Sequence, residues 1–385
     1  MSAGRLALAF TVAAGLVVAT AAPAGAHGGQ GAERAPASNY RTTITGVAPD
    51  VDGLELRVRE AGSRIELTND TGRTVVVLGY QEEPYLRIDA NGGVYRNTRS
   101  PATYANEDRQ ARTEVPDEAD PQAEPRWQKL SNGRTVRWHD HRIHWMGDAR
   151  PPAVAADPTT PQTVIGGWEI PLEVDGRAAT VTGDLDWVPP PSPWPWIVGA
   201  IAIGAGTLAA ARRWGRAAVL VATATLIVAT VVEAAGSWAA STSSLTGKLG
   251  EVLVPAMAWT ILVAAATQLW RAHRDASLLV GGAAAGLAWL FGLSDWSWLF
   301  ASQLSTGLAP GVARAAIITA LGVGSALTIS AALDARELLV AADRPRPRPA
   351  ASPVPADEHR GHRRALIVAL VVVALAFVLA TAPSR

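Results

Sequence analysis

Between Tyr40 and Trp187 apolar and polar residues alternate in short runs; beyond Pro193 the alternation stops and long apolar runs take over. Successive residues of a strand point to opposite faces, so period-two runs mark half-buried strands. "LELRV" (54–58), "SRIELTN" (63–69), "TVVVLGY" (74–80) and "YLRID" (85–89) follow this rule. So do the later "RTVRWHDHRIHW", "GGWEIPLEV" and "AATVTGDLDW". Turn residues stand between them: "NDTG" at 69–72, "ANGG" at 90–93 and "DG" at 175–176. Short strands with regular turns predict an antiparallel, immunoglobulin-like sandwich over 40–186. Residues 97–126 break the rhythm as a long polar excursion, a functional loop or a solvated insertion.

The proline- and tryptophan-rich stretch 187–194, inside "WVPPPSPWPW", reads as a stiff linker with interfacial aromatics. After it the apolar runs are each near the ~20 residues a bilayer requires. They predict an all-α bundle of six spans at about 195–211, 217–236, 252–270, 276–293, 312–333 and 365–382, within a membrane domain 195–382. Arginines fall in alternate loops: Arg212, Arg213 and Arg216; Arg271 and Arg274; then seven in 334–364. The intervening loops, 237–251 and 294–311, hold Lys248 alone as a lysine, so arginine bias puts the N-terminal domain outside. The proline-dense 334–364 reads as a disordered cytoplasmic loop.

The N-terminus gives the same orientation. Arg5, the apolar "LALAFTVAAGLVVATAA" and "AGA" at 24–26 form a secretory signal over residues 1–26. Cleavage there would leave His27 first, on a flexible lead over 27–39. The chain has no cysteine, which excludes disulfides, thiolate metal sites and cysteine nucleophiles. Net charge is zero and no basic block points to nucleic acid; the partner implied is the lipid bilayer of the cell membrane.

The chemistry concentrates in "RWHDHRIHW" (137–145). On a regular strand His139 and His141 share one face, and a turn near Ile143 would bring His144 round. Imidazoles in that spacing suit copper, zinc or nickel. Asp140 is a candidate to orient a ring from outside the ligand set. A leading His27 would add its α-amine and imidazole, completing the tetragonal nitrogen set that Cu(II) favours. The competing reading is a solvated ion-pair ladder of Arg137, Asp140 and Arg142. Tyr80, Tyr85, Tyr95 and Tyr104 lie close in sequence and offer either a partner surface for another envelope protein or core tyrosines. No GxSxG, P-loop or HExxH occurs, so no enzyme activity is expected. In the membrane half, Glu233 and Arg314 are the ionisable pair to test for transport, and Gly282 with Gly286 has the spacing for close helix packing.

"GVYRNTRSPATY" followed by "VRWHDHRIHWM" resembles little-characterised actinobacterial membrane proteins with an exported β domain. His27 after "AGA", with the later histidine cluster, is more loosely similar to copper-resistance proteins of the CopC/CopD type. That resemblance implies a CopC-like sandwich holding a copper ion, fused to a multi-span domain. Three functions follow as expectations: metal capture at the cell envelope, envelope interaction without metal, or a transporter component.

Overall fold

The computed structural model describes residues 37–107, 112–271, 273 and 276–342. Two compact units emerge, one of strands and one of helices.

The strand unit holds two antiparallel sheets. Ten strands run as β1 (Tyr40–Ala48), β2 (Leu54–Arg59), β3 (Arg64–Asn69), β4 (Val75–Leu78), β5 (Pro84–Ile88), β6 (Val94–Asn97), β7 (Trp127–Ser131), β8 (Thr135–His139), β9 (Gln162–Val174) and β10 (Arg177–Trp187). One sheet has the order β1-β10-β9-β4-β5-β6-β7, the other β2-β3-β8. The alternation reads directly into burial: along β10, Ala179, Val181, Gly183, Leu185 and Trp187 are buried while their neighbours are partly exposed. Facing strands add Ile65, Leu67, Val75, Val77, Ile170 and Leu172, forming one core. Each such side chain contributes about 1.5–3 kcal/mol when taken from water. The β9–β10 hairpin closes through Asp175 and Gly176, both at positive φ, as "DG" predicts. The polar excursion at 97–126 is a connection from β6 to β7, beginning with a short helix, Pro101–Ala105, capped by the Ser100 hydroxyl.

Among the described residues the helical unit has five helical segments long and apolar enough to cross a membrane, and the protein is a multi-pass membrane protein. We number them α1 (Trp194–Trp214), α2 (Arg216–Ala240), α3 (Leu245–Trp270), α4 (Ala276–Leu287) and α5 (Pro310–Ala342). α4 alone is too short to cross; a π-helical turn (Ala288–Leu293) and a 3-10 turn (Trp296–Phe300) extend it to the full fourth span, Ala276–Phe300. The sixth predicted span, 365–382, lies outside the described residues, as does most of 334–364. The part of that loop that is described, up to Ala342, continues α5 as helix and is not the irregular loop expected from 334. Its polar end is held by ion pairs from Arg212 to Asp334 (3.2 Å) and Glu337 (2.6 Å), which bring the C-terminal ends of α1 and α5 together.

Of the predicted pair Gly286 is buried, but close packing does not run through Gly282. At Gly282 an added Cβ would meet nothing, whereas at Gly281 it would strike Ala331 on α5. A Cβ on Gly322 of α5 would lie 2.7 Å from the Ala200 carbonyl of α1.

Candidate metal centre

Strand β8 pairs with β3 in register Ile65↔Trp138 and Arg64↔His139. Val136 and Trp138 therefore point into the core, and Arg137 and His139 to the other face. Arg137 and Arg59 both grip Glu66 on β3. Burial alone would raise the Glu66 carboxyl, but the two guanidinium groups outweigh it and hold the pKa below the usual carboxylate range.

The strand ends at His139. Asp140 then caps a single 3-10 turn, His141–Ile143, by accepting the Arg142 N–H (3.1 Å), and His144 returns to extended backbone. This turn, not strand alternation, assembles the cluster. His144 comes round as a turn near Ile143 requires, and Thr42 on β1 fixes the turn by donating to the Ile143 carbonyl (2.9 Å).

The three imidazoles present ligand nitrogens that all lie within 4.8 Å of one another. His139 and His144 are buried and His141 is half-buried. Ring centroids stand 4.4 Å apart for His139–His144, 5.0 Å for His139–His141 and 5.4 Å for His141–His144.

The hydrogen bonds fix the tautomers. His139 Nδ1 lies 2.6 Å from the Ser63 carbonyl and His144 Nδ1 lies 3.1 Å from the Trp145 carbonyl. A carbonyl only accepts, so each Nδ1 must carry the proton. The two Nε2 atoms then face each other at 2.6 Å, each with a lone pair when its ring is neutral. Only a shared proton or a shared cation reconciles two such lone pairs. Backbone carbonyls on Nδ1 are also the outer-shell arrangement that orients metal-binding histidines. A tetrahedral ion with M–N near 2.0–2.1 Å needs N···N separations of roughly 3.3 Å. The buried pair would open by roughly 0.7 Å and His141 would close in, adjustments within reach of ring rotation.

Asp140 does not touch the imidazoles. It is fully buried, accepts Nε–H (2.9 Å) and Nη2–H (2.8 Å) from Arg142, and accepts Nε1–H of Trp138 (2.9 Å). Burial pushes its carboxyl up, but Arg142 and Trp138 prevail and its pKa lies below the ordinary value. The predicted ring-orienting role passes to the backbone carbonyls of Ser63 and Trp145, because the Asp140 oxygens are committed to Arg142. That carbonyl pair had no sequence signal. Arg137 and Arg142 form ion pairs, as the ladder reading has it, yet they do so with Glu66 and Asp140 and leave the histidines together.

Tyr80 joins the site from an unexpected side. Its ring stacks on His141 (6.1 Å, 22° between planes), Arg142 lies over it at 5.0 Å, and its hydroxyl accepts the His141 N–H (3.0 Å) while donating to Asn106. Burial, with Asp140 nearby, raises the Tyr80 pKa, so the phenol stays protonated. The other tyrosines have other partners. Tyr85 is buried in the core and Tyr104 donates to the Thr98 carbonyl (2.9 Å). Tyr95 packs under Arg87 at 4.5 Å. The four tyrosines thus stand in the core (Tyr85), at the histidine cluster (Tyr80), on β6 (Tyr95) and on the short helix Pro101–Ala105 (Tyr104).

In the helical unit Glu233 and Arg314 are both buried, with Ser237 donating to Glu233 (2.9 Å) and Arg314 Nε donating to the Trp298 carbonyl (3.0 Å). Asp295 is a further buried acid that the hydropathy reading passed over. His27 lies outside the described residues. Comparison with known proteins finds no matching family model, no matching curated protein and no matching solved structure.

Proposed function

We propose that this protein is a membrane-anchored metal-binding protein whose strand unit, exported through the N-terminal signal, captures or buffers a transition metal at the cell envelope. His139, His141 and His144 are the ligands, and the bundle is the anchor. The observation that carries this reading is the pair of opposed Nε2 atoms with both Nδ1 protons held on carbonyls. Among the described residues the cluster is three imidazoles with no carboxylate among them, which suits copper or zinc and disfavours magnesium and calcium, which want oxygen ligands. Copper is the preferred cargo if His27, on the mature N-terminus, supplies the fourth donor. The two-sheet architecture supports the immunoglobulin-like or CopC-like sandwich that this function would use.

The test is titration of the full chain in detergent with Cu(II) and Zn(II). His139→Ala with His144→Ala should lower affinity on the order of 100-fold or more, since losing merely a group that hydrogen-bonds a ligand costs about 10–100-fold. Equal affinity in wild type and double variant would overturn the proposal. A second reading, transport through the bundle, draws on the burial of Glu233 and Arg314 in an apolar helical unit.

A further inference from the structure

The loop that follows His144 builds a second feature, independent of any metal. Trp145 folds back on its own loop: its Nε1–H donates to the Ala149 carbonyl (2.7 Å), and a Cβ on Gly147 would come within 2.7 Å of that indole nitrogen. Glycine at 147 is what lets the ring lie there. Trp187, at the end of β10, is buried and anchored by Nε1–H donation to the Pro158 carbonyl (3.0 Å). Tyr40 meets Trp187 edge-on at 5.2 Å, and the Arg150 guanidinium lies over the same indole at 5.3 Å. Between these groups is a cavity of about 350 Å³ whose walls include Tyr40, Trp145, Met146, Asp148, Arg150 and Trp187. The lining is mixed, with polar groups from Ser38, Asn39, Asp148 and Arg150 beside the three aromatic rings, and its volume suffices for a small polar aromatic molecule.

Two donors border the cavity. Among the described residues neither the Arg150 guanidinium nor the Tyr40 hydroxyl has a hydrogen-bond acceptor. Both groups lie against the Trp187 indole, Tyr40 at 5.2 Å and Arg150 at 5.3 Å, and both line the cavity. A guanidinium stacked on an indole presents its N–H edge for bidentate carboxylate recognition. The aromatic walls favour a flat body, and the Asp148 carboxylate on the rim penalises a second negative charge. We propose that this cavity binds a small planar monocarboxylate, with Arg150 and Tyr40 donating to the carboxylate and Trp145 and Tyr40 flanking the ring.

The probe is radiolabelled benzoate, by equilibrium dialysis against the full chain in detergent with a chelator present, so that the result does not depend on metal. Wild type should bind saturably, and benzyl alcohol should not compete. Arg150→Met keeps the stem over Trp187 and removes the charge; it should weaken binding about tenfold or more. Unchanged thermal unfolding of that variant excludes a folding defect. The proposal is overturned if benzoate binding does not saturate, if Arg150→Met binds as well as wild type, or if inorganic phosphate competes as strongly as unlabelled benzoate.

Discussion

His139 and His144 differ from surface histidines in one respect, the fate of Nδ1. Once a carbonyl holds that proton the other nitrogen has nothing left to donate, and pointing two such nitrogens at one spot creates a site for a positive charge. The turn that does the pointing rests on Asp140 and Arg142, a buried pair with the Arg142 side chain 19% exposed and Asp140 fully buried. Both Asp140 and Glu66 have folded pKa values below the ordinary range. Their stabilisation is therefore complete above the unfolded carboxylate value of about 4 and is lost as pH falls through the lower folded values. Acid unfolding of the strand unit, followed by near-UV circular dichroism, should begin below about pH 4. Asp140→Asn strands the Arg142 charge and should cost about 3 kcal/mol at neutral pH. A thermal midpoint equal to wild type would contradict that account.

At the scale of elements, the strands were legible because period-two burial is a one-dimensional signal: β3, β4, β5, β9 and β10 all fall on runs that alternate or are fully apolar. The end of β8 was not legible. "RWHDHRIHW" alternates well enough to continue as strand, and the chain turns after His139 because the Asp140 side chain accepts the backbone N–H of Arg142, two residues on. The helices repeat the lesson. Spans were visible as apolar runs, but which glycine touches a neighbour depends on the rotational setting of two helices. Gly281→Val should therefore destabilise the detergent-solubilised protein by about 1–3 kcal/mol through overpacking against Ala331, while Gly282→Ala should be nearly neutral. Comparable thermal stability of the two variants would show that the α4–α5 contact is wrongly assigned.

Across the whole molecule the arginine pattern and the signal-like N-terminal sequence both predict an exported strand unit, and the absence of cysteine makes that expectation simple to test. Single cysteines at Asp148 and at Arg213 should react oppositely with a membrane-impermeant maleimide on intact cells. The Asp148→Cys variant should label, and Arg213→Cys should label only after permeabilisation. The reverse pattern would invert the topology and remove the envelope from the proposed function. The division into a strand part and a membrane part, the strand periodicity and five of the spans follow from local hydropathy and residue spacing, and could be read along the chain. That His144 meets His139, that Asp140 turns away to Arg142 and that Tyr80 stacks on His141 emerge only in three dimensions. Those facts depend on which backbone carbonyls and side chains from distant strands arrive at the same place, and no spacing along one chain encodes that.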